Sequence, residues 1–170
     1  QEILSALRRN RDFMDQVVAW ERFPQRPAAS ASFPDYIPPR LVEALRRRGI
    51  SQLYTHQLDA VSAVVDGSDV IVATATASGK SLCYTIPVVS RLLAEPTARA
   101  LYLFPTKALA HDQLAETQAL IDVGALPIQA HGYDGDTPQS RRRKVRQSAG
   151  IIFSNPDMLH SGILPYHPGW

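Results

Sequence analysis

The chain has 170 residues, of which 45% are hydrophobic, and a formal net charge of +2. This is enough apolar material for one domain with a buried core, and so small a net charge does not by itself indicate a nucleic-acid partner. The single cysteine, Cys83, excludes a disulfide framework or a cysteine-based zinc site, and no apolar run reaches the ~20 residues of a membrane span. We therefore expect a cytoplasmic protein without a membrane partner. Because it opens on Gln1 rather than Met, we expect its native start to be missing.

The N-terminal part combines a helical pattern with a proline-rich segment. Residues 1 to about 20 carry apolar side chains at mostly helical spacing, which predicts a leading helix. The segment from Pro24 to Pro34 is rich in proline and serine, so it can join neither a central sheet nor a long helix. We predict an extended strap over the surface, and assign residues 1–37 to this helix and strap and residues 38–170 to the main domain.

Two further helices are predicted between residues 38 and 70. Pro39 can open the first and Gly49 can close it, while Thr55 is predicted to be the N-cap of the second. Tyr54 and Gln57 then lie at the mouth of the second helix. A glutamine amide offers a donor and an acceptor, which suits the N6/N7 edge of adenine. The alternative is an exposed glutamine without a ligand, and this single residue does not decide between them.

The stretch that begins at Val70 predicts a strand, a phosphate loop and a helix. Its apolar, β-branched run is followed by small residues and then by Gly79, Lys80 and Ser81. Such a loop lets backbone N–H groups surround a polyphosphate, and a helix that starts at Gly79 adds the positive end of its dipole. Lys80 would reach the β- and γ-phosphates, and the Ser81 hydroxyl would bind Mg²⁺. The pattern departs from the P-loop consensus at Thr74; the alternative is a Ser-Gly turn before a solvated lysine.

A second buried strand, from Ala100 to Phe104, leads into another helix after Pro105. Thr106 is a candidate N-cap, and Lys107 stands beside it. Such a helix start can hold a nucleic-acid phosphate through its N–H groups, the hydroxyl and the cation. An ordinary capped helix is the alternative.

Two further strand-like runs complete the predicted sheet. Leu126–Ala130 is followed by a helix opening at Thr137-Pro138, which carries five cations, namely Arg141, Arg142, Arg143, Lys144 and Arg146. These cations are either solvated or a binding face. Gly150–Ser154 leads to Asn155-Pro156-Asp157, where Asn155 either binds a backbone phosphate or caps a helix. The alternation of strands and helices predicts a three-layer α/β sandwich with a mostly parallel sheet, with the site at the carboxyl ends of the strands.

Five motifs together resemble those of the first RecA-like P-loop NTPase domain of superfamily 2 DEAD/DEAH-type helicases. They are, in order, Leu-Tyr-Thr-His-Gln57, Thr-Ala-Thr-Ala-Ser-Gly-Lys-Ser81, Phe-Pro-Thr-Lys-Ala-Leu-Ala110, Tyr-Asp-Gly-Asp-Thr-Pro138 and Ser-Asn-Pro-Asp-Met-Leu-His160. Their joint presence is far more specific than any one motif. More narrowly, residues 38–170 are similar to the bacterial MrfA-like helicases, which share a lineage with fungal RecQ4-like DNA repair helicases.

The resemblance implies an ATP-dependent DNA helicase or translocase that moves 3′ to 5′ on single-stranded or tailed DNA and acts in DNA repair. It implies Lys80 and Ser81 as catalytic residues, with Ser81 holding the Mg²⁺ of ATP. It implies nucleotide binding by Tyr54, Gln57, Thr76, Ala77, Ser78, Gly79, Lys80, Ser81 and Leu82. It implies contacts with the nucleic-acid backbone by Pro105, Thr106, Lys107, Gly135, Asp136, Asn155, Pro156 and Asp157.

One expected part of the ATPase site is missing from the sequence. None of the four predicted strands ends in an acidic pair that could hold Mg²⁺ and orient a water molecule. In the family, the Asp-Glu-x-His box lies shortly beyond the position of Trp170, and its strand and the next one insert between the Lys80 strand and the 101–104 strand. We therefore expect an incomplete RecA-like domain, with a gap in its sheet that exposes apolar flanks and unpaired backbone groups.

The remainder of such a helicase would comprise the acidic box, a second RecA-like domain and a C-terminal metal domain. Without them, we expect the 170-residue polypeptide to be inactive. Two rival functions stay open from the sequence. One is an RNA helicase of the DEAD-box type. The other is a non-catalytic module that binds nucleic acid through Lys107 and the arginine-rich helix.

Overall fold

The computed structural model describes residues 2–21, 29–76 and 78–169. Its helices are α1 (Glu2–Arg9), α2 (Arg11–Met14), α3 (Pro39–Arg47), α4 (Thr55–Val65), α5 (Ser81–Ala94), α6 (Lys107–Val123), α7 (Gln139–Ser148) and α8 (Pro156–Met158). Its strands are β1 (Ser30–Ala31), β2 (Leu53–Tyr54), β3 (Ala100–Leu103), β4 (Ala130–Gly132) and β5 (Ile151–Ser154). After α8 the chain continues as a π-helical turn (Leu159–Ile163) and a 3₁₀ segment (Leu164–Gly169). Across these ranges, no helix combines the length and the apolar character that crossing a membrane requires.

The central sheet is parallel, with β5 between β3 and β4 in the described part of the chain. Ala100 of β3 and Ala130 of β4 both lie opposite Ile151, so the three strands start level and end at one edge. Side chains of β5 alternate between two cores. Ile151 and Phe153 pack with α3, α4, α5 and α6, while Ile152 packs with α7 and α8. Helices thus cover both faces of the sheet, and the predicted three-layer α/β sandwich is confirmed.

The strand predicted from Val70 does not form. Residues 70–73 have no assigned secondary structure, and Ile71 is 96% exposed. On the other side of the gap, Leu101 and Leu103 of β3 are 43% and 41% exposed, so β3 is not the fully buried strand expected. A strand is defined by hydrogen bonds to a neighbour, and the described residues supply none to this run. The expected gap is therefore present, as an apolar groove of about 640 Å³ whose lining includes Val70, Val72, Pro87, Val88, Phe104 and Leu109.

The N-terminal prediction is corrected in two respects. The leading helix is broken at Asn10, whose Oδ1 accepts from the Phe13 N–H at 3.0 Å and so caps α2. Part of the strap forms β1, which pairs with β2 in a short antiparallel ladder outside the central sheet. Residues 22–28, in the first half of the strap, lie outside the described residues.

The third predicted strand is also shorter than expected, because β4 starts at Ala130 rather than Leu126. The Ile128 N–H donates to the carbonyl of Leu126 at 2.8 Å, which closes a tight turn around Pro127. Proline has no N–H for a sheet ladder, so the chain enters the sheet only after this turn.

Candidate functional site

The phosphate loop leads from Thr74 into α5. The helix begins at Ser81, not at Gly79 as predicted, and Lys80 is its N-cap residue. Gly79 has a φ of +74°, and a β-carbon there would lie 2.5 Å from the side-chain nitrogen of Gln57. Only glycine suits both constraints. Ala77, one of the predicted nucleotide-binding residues, lies outside the described residues.

The ammonium group of Lys80 is held within the loop. Its Nζ donates to the carbonyl of Ala75 at 2.6 Å and to that of Thr74 at 3.0 Å. The loop is closed across its mouth by a 2.6 Å hydrogen bond between the hydroxyls of Thr74 and Ser78. Lys80 is half-buried, so its ammonium is hydrogen-bonded within the loop in place of the fully solvated lysine of the alternative. Carbonyl oxygens are weak partners for a cation, so a phosphate in the loop would be the stronger partner for Lys80.

The mouth of α4 supports the same loop. Gln57 is 2% exposed; its Oε1 accepts from the Tyr54 N–H at 2.9 Å, and its Nε2 donates to the Gly79 carbonyl at 2.8 Å. The exposed-glutamine alternative is wrong. Tyr54, not Thr55, is the N-cap residue of α4, with Gln57 in the third helical position bonding back to it. The Gln57 amide has a second N–H and a second lone pair, which suit recognition of a base edge.

His56 is a site residue that the sequence did not predict. Its Nε2 lies 3.0 Å from the carbonyl oxygen of Ser78, so two consecutive loop carbonyls are held by two consecutive side chains of α4. Its ring stacks on Tyr54, which is 43% exposed, with centroids 5.7 Å apart. The sequence signal that could have identified His56 is its position next to Gln57 in the motif Leu-Tyr-Thr-His-Gln57. Thr76 is exposed and Leu82 packs at the edge of the larger core.

The Ser81 hydroxyl faces α6. It donates to Oε1 of Gln113 at 3.1 Å, and that oxygen also accepts from the Tyr84 hydroxyl at 2.7 Å. A hydroxyl oxygen is a hard ligand that fits Mg²⁺. No group of three or more histidine, cysteine or acidic side chains that could hold a metal is present among the described residues. A Mg²⁺ ion at Ser81 would therefore take its other ligands from phosphate, water and residues elsewhere.

The predicted nucleic-acid residues meet at the carboxyl edge of the central sheet. Thr106 caps α6 by accepting from the Leu109 N–H at 3.2 Å, and Asn155 caps α8 by accepting from the Met158 N–H at 2.8 Å. Pro105 precedes the first cap, and Pro156 and Asp157 follow the second. The side chains of Thr106 and Asn155 thus act as helix caps, which was the alternative to phosphate binding for each. The N–H groups at the starts of both helices face the edge of the sheet.

Lys107, at the carboxyl edge of the central sheet, forms an ion pair with Asp136. Lys107 Nζ lies 2.7 Å from Oδ2 of Asp136, and a β-carbon added at Gly135 would lie 3.6 Å from the same Nζ. The hydrogen bond that Lys107 donates to Asp136 raises the pKa of Lys107 above its ordinary value. The side chains of Lys107 and Asp136 are 46% and 75% exposed, so solvent screens the pair and a phosphate can reach it.

Asp134 organises the loop after β4. It is 6% exposed, and its Oδ1 accepts from the N–H groups of Asp136 and Thr137, at 2.9 and 3.1 Å. Its Oδ2 lies 3.0 Å from Nε2 of His111 on α6. Burial raises the pKa of Asp134, but the hydrogen bonds from His111, the Asp136 N–H and Thr137 outweigh it, so the pKa is lowered overall.

The five cations of α7 are not equivalent. Arg142 donates to the carbonyls of Thr137, at 3.0 Å, and Asp134, at 3.3 Å, so it fastens α7 to the preceding loop. Arg141, Arg143 and Lys144 are exposed. The solvated alternative thus fails for Arg142, and the exposed cations remain a candidate binding face.

The chain is similar to known helicases along its whole length. The family model described as DEAD/DEAH box helicase matches residues 54–168. The uncharacterized ATP-dependent helicase YprA of Bacillus subtilis is 46% identical over 169 residues, which are 99% of this chain and 22% of that protein. The ATP-dependent helicase hrq1 of Schizosaccharomyces pombe is 38% identical over 100% of this chain and 16% of its own length.

A solved structure agrees in fold as well. The crystal structure of the DUF1998 helicase MrfA bound to DNA and AMPPNP matches with a TM-score of 0.90 and 46% identity, over 99% of this chain and 23% of that one. The RecA-like fold predicted from the motifs is confirmed. The chain spans about a quarter or less of the length of each of these three proteins.

Proposed function

Because the chain belongs to the DEAD/DEAH box helicase family, we propose that it is the nucleotide-binding part of an ATP-dependent DNA helicase or translocase. The observation that carries the proposal is the structure of the loop. Gln57 donates a hydrogen bond to the Gly79 carbonyl, and the Lys80 ammonium donates to the carbonyls of Thr74 and Ala75. Relatives described as ATP-dependent helicases support it. Movement from 3′ to 5′ and a role in DNA repair extend the same proposal, and rest on the family resemblance alone.

In this proposal Lys80 and Ser81 are the catalytic residues of the chain. Lys80 leaves the loop carbonyls to neutralise the β- and γ-phosphates of ATP, and Gln57 holds the loop while its free N–H and lone pair meet the adenine. Bound Mg²⁺ would neutralise the developing phosphate charge, with Ser81 as its ligand from this chain. The remaining proposed nucleotide contacts are Tyr54, Thr76, Ala77, Ser78, Gly79 and Leu82.

The proposed DNA contacts lie on one line along the carboxyl edge of the sheet. They are Pro105, Thr106, Lys107, Gly135, Asp136, Asn155, Pro156 and Asp157. Backbone N–H groups at two helix starts and one lysine recognise phosphates, not bases, which suits sequence-independent binding of single-stranded or tailed DNA. The structure of MrfA with DNA supports DNA over RNA as the partner.

The apolar groove lined by Val70, Val72 and Phe104 is the proposed seat of two further strands of the parent helicase. Its lining is mostly apolar, and neither residues 70–73 nor the outer edge of β3 has a strand partner among the described residues. One inserted strand would bring the acidic box beside Ser81; the second RecA-like domain and a metal domain would follow. We also propose that residues 1–37 form an appendage to a domain that begins at residue 38. A reducing cytoplasm suits the free, buried Cys83.

The proposal is tested with two lysine variants of the full-length parent protein. Lys80→Ala is expected to reduce ATP turnover to background while DNA binding stays largely intact, because Lys80 lies in the loop and not at the sheet edge. Lys107→Ala is the matched control, and is expected to weaken DNA binding while leaving nucleotide binding unchanged. Loss of DNA binding in Lys80→Ala, or preserved ATP turnover in it, would contradict the assignment.

The rival functions give different results. An RNA helicase would unwind tailed RNA duplexes in preference to tailed DNA duplexes. A non-catalytic module would bind DNA with a steep salt dependence and show no affinity for ATP. The 170-residue polypeptide alone is expected to show no turnover. Turnover that depends on Lys80 would mean that a carboxylate within these residues completes the site.

A further inference from the structure

Helix α6 lies between the loop after β4 and the phosphate-loop helix. On one side, Lys107 and His111, four residues apart and so on one helix face, contact Asp136 and Asp134. Gln113 follows His111 by two residues, about 200° further around the helix, and contacts Ser81 on α5. One rigid element thus joins the sheet edge proposed for DNA to the helix start proposed for Mg²⁺.

The contact between Ser81 and Gln113 separates two cavities. Both residues line the apolar groove of about 640 Å³, and both also line a second cavity of about 500 Å³ that reaches Gln57 and Gly79. Gln113 is half-buried at this partition. Its Oε1 accepts two hydroxyls, from Ser81 and from Tyr84, which uses both of its lone pairs and fixes the side chain.

The direction of the Ser81 hydrogen decides what its oxygen can do. A serine hydroxyl has one hydrogen and two lone pairs, and a metal ion needs a lone pair. Because the hydrogen is donated to Gln113, the lone pairs remain for a cation. A serine hydroxyl exposed to water would rotate freely and would have to lose that freedom on binding the metal.

We propose that Gln113 is a positioning residue for the binding of Mg²⁺·ATP. Gln113 orients the Ser81 hydroxyl, and because Gln113 belongs to α6, this orientation depends on the position of α6. This inference rests on the proposed function and adds a residue to it. It predicts that Gln113 acts on metal binding, through Ser81, and not on the affinity of the loop for metal-free nucleotide. Ligands oriented by an outer partner lose roughly 10- to 100-fold in metal affinity when that partner is removed.

The test measures binding of a fluorescent, non-hydrolysable ATP analogue to the full-length helicase as Mg²⁺ is titrated. Gln113→Leu is expected to raise the Mg²⁺ concentration at half-maximal binding about tenfold, with binding in EDTA unchanged. Gln113→Glu keeps an acceptor for both hydroxyls and is expected to stay near the wild-type midpoint. Gln118→Leu is the matched control, since Gln118 is on the same helix and its amide donates to Asp122, away from the loop.

The double variant Ser81→Ala/Gln113→Leu shows whether Gln113 acts through Ser81. Once Ser81 is alanine, Gln113→Leu is expected to add no further shift. An unchanged Mg²⁺ midpoint in Gln113→Leu, or an equal shift with and without Ser81, would overturn the inference. If Gln113→Leu does not fold, the test uses Gln113→Glu. A higher Mg²⁺ concentration at half-maximal binding in folded Gln113→Glu than in the wild-type protein would then overturn the inference. Failure of the wild-type protein to bind nucleotide would overturn the proposed function itself.

Discussion

The side-chain nitrogen of Gln57 lies 2.8 Å from the carbonyl oxygen of Gly79, and it occupies the space that a β-carbon on Gly79 would need. The start of α4 and the turn into α5 are therefore packed so closely that there is no room between them for one additional methyl group. This contact fixes the orientation of the Gly79 carbonyl, and with it the last turn of the chain before Lys80.

Gly79→Ala is expected to destabilise the fold and to weaken nucleotide binding. The φ of +74° costs about 1 kcal/mol or more for alanine, and Gln57 must also give up its hydrogen bond, which adds about 1 kcal/mol. Gly67→Ala is the matched control, because Gly67 has a φ of +86° with nothing within 4 Å of an added β-carbon. Urea unfolding of both variants measures the difference, and equal losses of free energy of unfolding would show that the contact with Gln57 has no energetic weight.

Asp136→Asn is expected to tighten DNA binding several-fold at low salt. The change releases Lys107 from its 2.7 Å ion pair and removes a negative charge from the sheet edge. The salt dependence of binding measures the effect, since each additional phosphate contact steepens the slope of log K against log salt by about 0.7 to 0.9. The double variant with Lys107→Ala should lose the gain. Weaker binding by Asp136→Asn alone would mean that releasing Lys107 from the ion pair adds no phosphate contact.

The stability of the fold is expected to fall in acid through Asp134. Its pKa in the folded state is below its ordinary value of 3.8, so on acidification the unfolded chain takes up the proton first. The stabilisation is complete above that ordinary value and is lost as the pH falls below it. Thermal unfolding from pH 6 to pH 2 should show a steeper loss for the wild-type protein than for Asp134→Asn. Parallel curves would exclude this contribution.

Ile71 provides a test of the open groove. In the 170-residue polypeptide, Ile71→Ser is expected to change the free energy of unfolding by less than about 0.5 kcal/mol, because the side chain is 96% exposed. In the full-length protein the same change is expected to cost about 2 kcal/mol or more, because an inserted strand would bury it. Ile151→Ser, at a fully buried position, should be costly in both. Equal, small effects of Ile71→Ser in both proteins would contradict an inserted strand.

Features set by nearby residues were predictable from the sequence. The caps at Thr106 and Asn155 each depend on a side chain and an N–H three residues later, and both are present. The helix from Pro39 and the left-handed Gly49 that follows it are local in the same way. In each case the information lies within a few residues of the element.

Features that depend on a distant partner were not predictable. The run from Val70 has the composition of a strand, but the part of the chain that the structure describes offers it no neighbouring strand. Gln57 could be interpreted as exposed because its partner, Gly79, is 22 residues away. His56, His111 and Gln113 were missed for the same reason, since each is defined by a contact with another element.

The level start of the three parallel strands determines the order in which a ligand meets their loops. With β5 between β3 and β4, the Asn155 loop lies between the Thr106 loop and the Gly135 loop, at a spacing of about 5 Å per strand. A DNA strand laid straight along this edge would meet residues 106–107, then 155–157, then 135–136. The footprint of such a strand, nucleotide by nucleotide, would therefore follow the sheet order and not the order of the polypeptide.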